Sequence, residues 1–269
     1  MSVAVMYRQV QQVKASQWPA FLDMERRMDA AEEKAGYPLP RRYRAMFGGE
    51  STNTRVCVRI FESYAEFGRL IAERFLNDAL SRLDAEKFNL IEWDRDELYY
   101  LDSGAAVPRW MQAISRKPFD PEHIACAIPR PTTAPRDPER IRKNIEAGKV
   151  RVLYRQIQHV PRECWAEKME QERLSDEAEL RAGNPLPLRY RAMHTPMDSH
   201  TRVSEREYDS MEDMCRLTEA FFQEATPEDA GVMDAECRRQ AFFTWEREEL
   251  YYVDSDSFEP AWMSMGTDK

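Results

Sequence analysis

Hydrophobic and polar positions along this chain alternate first as a strand and then as a helix, and the same succession occurs twice. Val3 to Val13 is β-rich and reads as a strand, and Val152 to Val160 repeats it. Trp18, Phe21, Leu22 and Met28 then fall on one helical face. Ser16 is placed as N-cap, Pro19 fits the first turn, and Gly36 and Pro38 end the helix. Trp165 repeats Trp18 147 positions later, and Gly183 and Pro185 stop the second helix of this kind. Arg42 to Phe47 is the next strand, followed by turn residues from Gly48 to Asn53. Thr54 to Phe61 alternates, with Val56, Val58 and Ile60 on one face and Arg55, Cys57, Arg59 and Phe61 on the other. A capping box, Ser63-x-x-Glu66, opens a helix with Phe67, Leu70, Ile71 and Phe75 on its apolar face, continuing toward Leu90. Its counterpart is Ser210-x-x-Asp213 with Met214, Leu217 and Phe222. Trp93 to Ser103 closes the series as a strand, repeated as Trp245 to Ser255.

The duplication is clearest in one segment. Pro38-Leu39-Pro40-Arg41-Arg42-Tyr43-Arg44-Ala45-Met46 returns as Pro185 to Met193 with a single change, Arg41 to Leu188. The sequence therefore divides into a first unit, 1–112, a proline-rich linker with a short helix, 113–149, and a second unit, 150–269. Six prolines between Lys117 and Pro138 mark the linker, and Glu139 to Ala147 reads as the short helix. Each unit has the order β-α-β-β-α-β. That order predicts an α+β fold of two tandem ferredoxin-like units, each an antiparallel sheet with helices on one face, joined as a pseudo-dimeric α/β barrel.

Composition narrows the function classes. A net charge of −9 over 269 residues argues against nucleic acid, whose phosphates require a basic excess. No apolar run approaches the roughly 20 residues of a membrane span, and Met1 to Val13 lacks the pattern of a secretory signal. Five cysteines, an odd number without any C-x-x-C, fit free thiols in a reducing cytoplasm. Cys57 reads as a small buried residue rather than a nucleophile.

The opening Tyr7-Arg8-Gln9-Val10 followed by Trp18 and Phe21, together with the element order of both halves, resembles the dimeric α/β-barrel superfamily. The likeness is greatest to NIPSNAP-type and antibiotic-biosynthesis-monooxygenase-type domains. The resemblance implies cofactor-independent oxygenases, isomerases or small-molecule-binding proteins. It also implies that single units pair as homodimers, so that a fused pair is a pseudo-dimer able to form a homo-oligomer. Chlorite-dismutase-like haem proteins also carry two such units per chain, which keeps haem among the alternatives. No diagnostic catalytic motif of these families stands in the sequence, and fold alone does not choose among them.

The candidate chemistry lies in arginines, tyrosines and histidines. With Val56, Val58 and Ile60 assigned to the helix side, Arg55 and Arg59 would face the barrel interior. Arg42, Arg44, Arg189 and Arg191 would join them, together with Arg8, Arg155 and Arg202. Such a group either pairs with Glu97, Asp102, Glu249 and Asp254 or clamps an anionic ligand, because lone buried charges are too costly to keep. Within Tyr99-Tyr100 and Tyr251-Tyr252, one phenol of each pair is expected to pack and the other to reach the ligand, and Tyr100 and Tyr252 are taken for the second role. Three histidines have no counterpart in the first half: His159 replaces Gln12, His194 replaces Phe47 and His200 replaces Asn53. His194-x-x-x-Asp198-x-His200 is not a specific metal signature, whereas His194 suits a general base. The expectation is a cytoplasmic barrel protein binding a small anionic or aromatic molecule, with no cofactor, no nucleic acid and no membrane. Its enzymatic form would be a cofactor-independent oxygenase or isomerase. The alternatives are a non-catalytic structural or interaction protein and a haem- or metal-binding barrel.

Overall fold

The computed structural model describes residues 4–47, 51–101, 139, 142, 143, 146, 147, 150–194, 200–223 and 242–253. The first half contains β1 (Val5–Val13), α1 (Trp18–Lys34), β2 (Arg41–Phe47), β3 (Thr54–Phe61), α2 (Tyr64–Phe75), α3 (Asp78–Phe88) and β4 (Ile91–Leu101). The second contains β5 (Val152–His159), α4 (Trp165–Arg181), β6 (Leu188–His194), β7 (Thr201–Tyr208), α5 (Met211–Gln223) and β8 (Trp245–Val253). The strands hydrogen-bond in the closed order β1-β3-β2-β8-β5-β7-β6-β4, so the α+β barrel expected from the repeat is the fold. Asp102, Asp254, Cys126, Cys237 and the proline-rich linker lie outside the described residues. Among the described residues no helix is long and apolar enough to cross a membrane.

Local chemistry explains the boundaries. Ser63 Oγ accepts from Glu66 N (3.0 Å), as the capping box requires, while Glu66 Oε2 reaches Glu62 N (2.6 Å). The helix expected to continue toward Leu90 instead breaks after Phe75. Asn77 Oδ1 accepts from Ala79 N and Leu80 N (3.1 and 3.2 Å) and starts α3 afresh. The expected N-cap at Ser16 is also corrected: Ala15–Gln17 forms a 3-10 turn, and Gln17 occupies the cap of α1. Both first helices end on a glycine in the left-handed region, Gly36 (φ 77°) and Gly183 (φ 83°).

The chain forms two compact units, and the last strands are shared between them. One unit holds β1 to β3, α1 to α3, β4 as far as Leu98, and β8 from Glu249. The other holds β4 from Tyr99, β5 to β7, α4, α5, and β8 as far as Glu248. In the N-terminal unit α1 and α3 bury Trp18, Phe21, Leu22, Met24, Met28 and Leu80 with Val13 and Ile91. In the C-terminal unit Val160, Cys164 and Trp165 form the matching cluster, with Phe242 against it.

Strand register overturns the expected facing of the arginines. Facing residues of an antiparallel pair share one side of the sheet. Arg8, Val58 and Arg41 therefore lie on one face, and Arg42, Cys57, Arg44 and Arg55 on the other. The second face is the one turned to α1. Arg42 donates to both oxygens of Asp29 (2.7 and 2.5 Å) and lies 3.0 Å from Glu25. Arg55 forks onto Glu25, Arg59 onto Glu32, and Arg44 lies 5.0 Å over the Trp18 ring. The C-terminal unit repeats this set: Arg189 pairs with Asp176 and Glu172, Arg202 forks onto Glu172, and Arg206 reaches Glu179. Arg42, Arg44, Arg55, Arg59, Arg189 and Arg202 thus serve helix–sheet packing instead of facing the side away from the helices. Arg191 shares this face, since it is directly opposite Arg202. The physical reason lies in the helix: Glu25, Asp29 and Glu32 project from the surface of α1 that meets the sheet, and buried carboxylates need cationic partners.

Candidate functional site

With the helix face committed to packing, Arg8 and Arg155 are the predicted site arginines placed on the opposite face. Arg8 sits mid-strand in β1 between Val5 and Val13 and is 2% exposed. Its Nη1 donates to Glu97 Oε2 (2.8 Å), and its Nη2 donates to the hydroxyl of Tyr251 (2.9 Å). Tyr251 in turn donates to Glu249 Oε2 (2.6 Å), which lies 3.8 Å from Arg8 Nη2. Arg95 Nε donates to the other oxygen of Glu97 (2.8 Å). Every member of this chain belongs to the N-terminal unit, because β8 enters that unit at Glu249.

The C-terminal unit builds a related but different cluster. Arg155 Nη2 donates to the hydroxyl of Tyr99 (2.9 Å), with the guanidinium carbon 5.6 Å from that ring centre. Here Glu205 stands opposite Arg155 across the β5–β7 pair, where Val58 stands opposite Arg8. Glu205 lies 3.5 Å from Arg155 Nε and accepts from the hydroxyl of Tyr190 (2.8 Å). Tyr99 and Tyr190 pack with ring centres 6.0 Å apart. One substitution within the duplicated strand therefore adds a carboxylate to this cluster.

Each tyrosine pair divides into a buried and a half-buried phenol. Tyr99 and Tyr251 are buried and carry the hydroxyls that meet the arginines. Tyr100 and Tyr252 are half-buried, and Tyr252 pairs with Arg44 on the helix-side face. Burial pushes the Tyr252 phenol above its ordinary value, although Arg44 beside it acts in the opposite sense. His194 ends β6, and its side chain lies outside the described residues; its counterpart Phe47 is 66% exposed. His200, at the same hairpin turn, clusters with His159 and Trp245. Cys57 is buried beside Arg42, and burial pushes its thiol up, as suits a packing residue. Among the described residues no group of three or more His, Cys, Asp or Glu side chains could hold a metal ion. Glu97 and Glu249 pair with Arg8 as the ion-pair alternative expected, whereas Tyr99, Tyr251 and Glu205 were not expected in these clusters.

What the N-terminal cluster can do follows from its hydrogen bonds. A phenol that accepts from a guanidinium and donates to a carboxylate is polarised from both sides. The cation stabilises charge on the phenolic oxygen, and the carboxylate can receive its proton.

No family model matches the sequence, and no curated protein matches it. Solved structures do. A proposed monooxygenase of Fusobacterium nucleatum subsp. nucleatum ATCC 25586 shares 11% identity over 94% of this chain and 93% of its own, with a TM-score of 0.55. A proposed monooxygenase of Lactobacillus acidophilus NCFM shares 6% identity over 93% of each chain, with a TM-score of 0.51. At such identity the likeness is one of fold.

Proposed function

We propose that this chain, which has the fold of the dimeric α/β-barrel superfamily, binds a small anionic or aromatic molecule at the Arg8–Tyr251–Glu249 chain of its N-terminal unit. Catalysis there is proton transfer without a bound cofactor, of the oxygenase or isomerase type. The observation that carries the reading is the phenol of Tyr251 held between a buried guanidinium and a buried carboxylate. A substrate with an acidic C–H or O–H gives its proton to the Tyr251 oxygen while the Tyr251 proton passes to Glu249. Arg8 faces the oxyanion that develops. The proposed monooxygenases among the structural neighbours are compatible with this chemistry and identify no substrate.

A second reading has its own support. Arg8 is met by two carboxylates, Glu97 and Glu249, which is what a purely structural cross-link would show. Thermal unfolding with and without benzoate or salicylate separates the two. Under the binding reading the ligand raises the wild-type midpoint, and Arg8→Met and Tyr251→Phe abolish the increment, while Arg59→Met on the helix face keeps it. An increment that survives both site substitutions removes the proposal. The haem or metal alternative is tested by an absorption spectrum and a metal analysis of the purified protein.

A further inference from the structure

One cross-strand row of each unit carries the arginine of its cluster, and the two rows differ in charge. In the N-terminal unit Arg8 of β1 faces Val58 of β3, which in turn faces Arg41 of β2. In the C-terminal unit Arg155 of β5 faces Glu205 of β7, which in turn faces Leu188 of β6. Residues paired in this way share one side of the sheet, on strands roughly 5 Å apart. The backbone pairing is repeated while the side chains change from Arg-Val-Arg to Arg-Glu-Leu. The first row is cationic, and the second is neutral in sum. Arg41 against Leu188 is the single difference within the duplicated Pro38 to Met46 segment, so that segment changes only where it enters this row.

The carboxylate of Glu205 is held at both oxygens. Oε1 lies 3.5 Å from Arg155 Nε, and Oε2 accepts from the hydroxyl of Tyr190 (2.8 Å). Arg155 Nη2 donates to the hydroxyl of Tyr99 (2.9 Å), and the Tyr99 and Tyr190 rings pack with centres 6.0 Å apart. Arg155, Glu205 and both tyrosines are buried. A guanidinium, a phenol and apolar ring faces are what a protein offers to a small carboxylate. Here the chain's own side chain takes that place, and beyond its Cβ the Glu205 side chain is an acetate group. The N-terminal unit keeps Tyr43 at the position of Tyr190 and has Val58 at the position of Glu205.

We infer that Glu205 is a built-in anion: its carboxylate stands in for a ligand carboxylate in the C-terminal unit, so that the chain takes up one anionic ligand, in the N-terminal unit, and not two. The clause on the N-terminal unit rests on the function proposed above, whereas the role of Glu205 does not. Glu205→Ala removes an acetate-sized portion of the side chain, so free acetate is the probe. Thermal unfolding of the full chain is followed for the wild type, Glu205→Ala and Glu205→Ala/Arg155→Met, in sodium acetate and in sodium chloride of equal ionic strength. Acetate should raise the Glu205→Ala midpoint saturably. The excess over the wild-type response should be about 2–4 °C at roughly five times the dissociation constant, and Arg155→Met should remove it. If Glu205→Ala is unfolded in chloride, acetate should refold it. A response no greater than that of the wild type, an excess that survives Arg155→Met, or a failure to refold overturns the inference. Equilibrium dialysis of the wild type with benzoate adds the stoichiometry: one molecule per chain, lost in Arg8→Met and kept in Arg155→Met, is expected. Two per chain, or one that is lost in Arg155→Met, overturns the inference. None bound, or one that survives both substitutions, counts instead against the proposed function, and acetate rescue then decides the role of Glu205.

Discussion

At the scale of single residues, the buried ion pairs set both stability and its dependence on pH. Glu32 is fully buried, and its two oxygens receive Arg59 and Arg74. Burial pushes its carboxyl up, but the two guanidinium groups more than offset this and hold it below its usual value of 4.5. A depressed folded-state value means that the ionised form favours the fold. That contribution is complete above the usual carboxylate value and is lost as pH falls through the lower, folded one. Glu32→Gln should therefore destabilise the protein by about 3 kcal/mol at neutral pH, since it removes the buried carboxylate that two partly buried cations share. It should also flatten the acid limb of stability against pH, with urea unfolding across acidic buffers as the measurement. Asp29 has the opposite sign. Burial raises its carboxyl despite Arg42 beside it, so its contribution is present at low pH and falls as pH rises through the raised value. Asp29→Asn should accordingly remove a penalty at neutral pH along with an ion pair, and cost less than Glu32→Gln in the same assay.

At the scale of elements, small caps decide where helices stop and start. Asn77→Ala removes the acceptor for two backbone N–H groups of α3 and should cost about 1 kcal/mol, read from the chemical denaturation midpoint. That cap was readable in the sequence as an Asn before Asp78, but the apolar spacing of Phe67 to Phe75 drew the helix on past it. The order of strands and helices was legible because Pro38 to Met46 and Pro185 to Met193 fix the register between halves. The facing of β2 and β3 was misread because hydrophobicity was the criterion. Tyr43 and Ala45 are more apolar than Arg42 and Arg44, so they were assigned to the helix side. The missed signal was on α1. Glu25, Asp29 and Glu32 share one helical face, and Glu172, Asp176 and Glu179 repeat them at the spacing that relates Arg42 to Arg189 and Arg55 to Arg202. A helix bearing duplicated acids on its packed face calls for arginines opposite, and that pairing reverses the assignment of both strands. Tyr251 beside Arg8 was not legible in the same way. The two are 243 positions apart, and their meeting depends on β8 pairing with β2.

At the scale of the whole molecule, the exchange of last strands gives duplication a physical role. Tyr43, Arg44 and Ala45 of β2 pair with Val253, Tyr252 and Tyr251 of β8, so the N-terminal unit completes both its sheet edge and its Arg8 cluster with residues from the far end of the chain. A fragment comprising residues 1–112 lacks those residues and leaves β2 with an unpaired edge, which favours association with another chain. The fragment carries its own equivalent of the missing strand, however, since Tyr99-Tyr100-Leu101 corresponds to Tyr251-Tyr252-Val253. A second copy can therefore supply to β2 the strand that β8 supplies in the intact chain, and it can offer the hydroxyl of Tyr99 to Arg8. Two-fold pairing of this kind closes on itself and satisfies both edges at once. The fragment should accordingly elute as a dimer, with a light-scattering mass twice that of its chain. Tyr99→Asp, which sets a charge against the buried strand pair, should return it to an unfolded or aggregating monomer. A fragment that stays a folded monomer would show that β2 needs no partner strand, and strand exchange would then be a consequence of linkage in one chain instead of its structural reason.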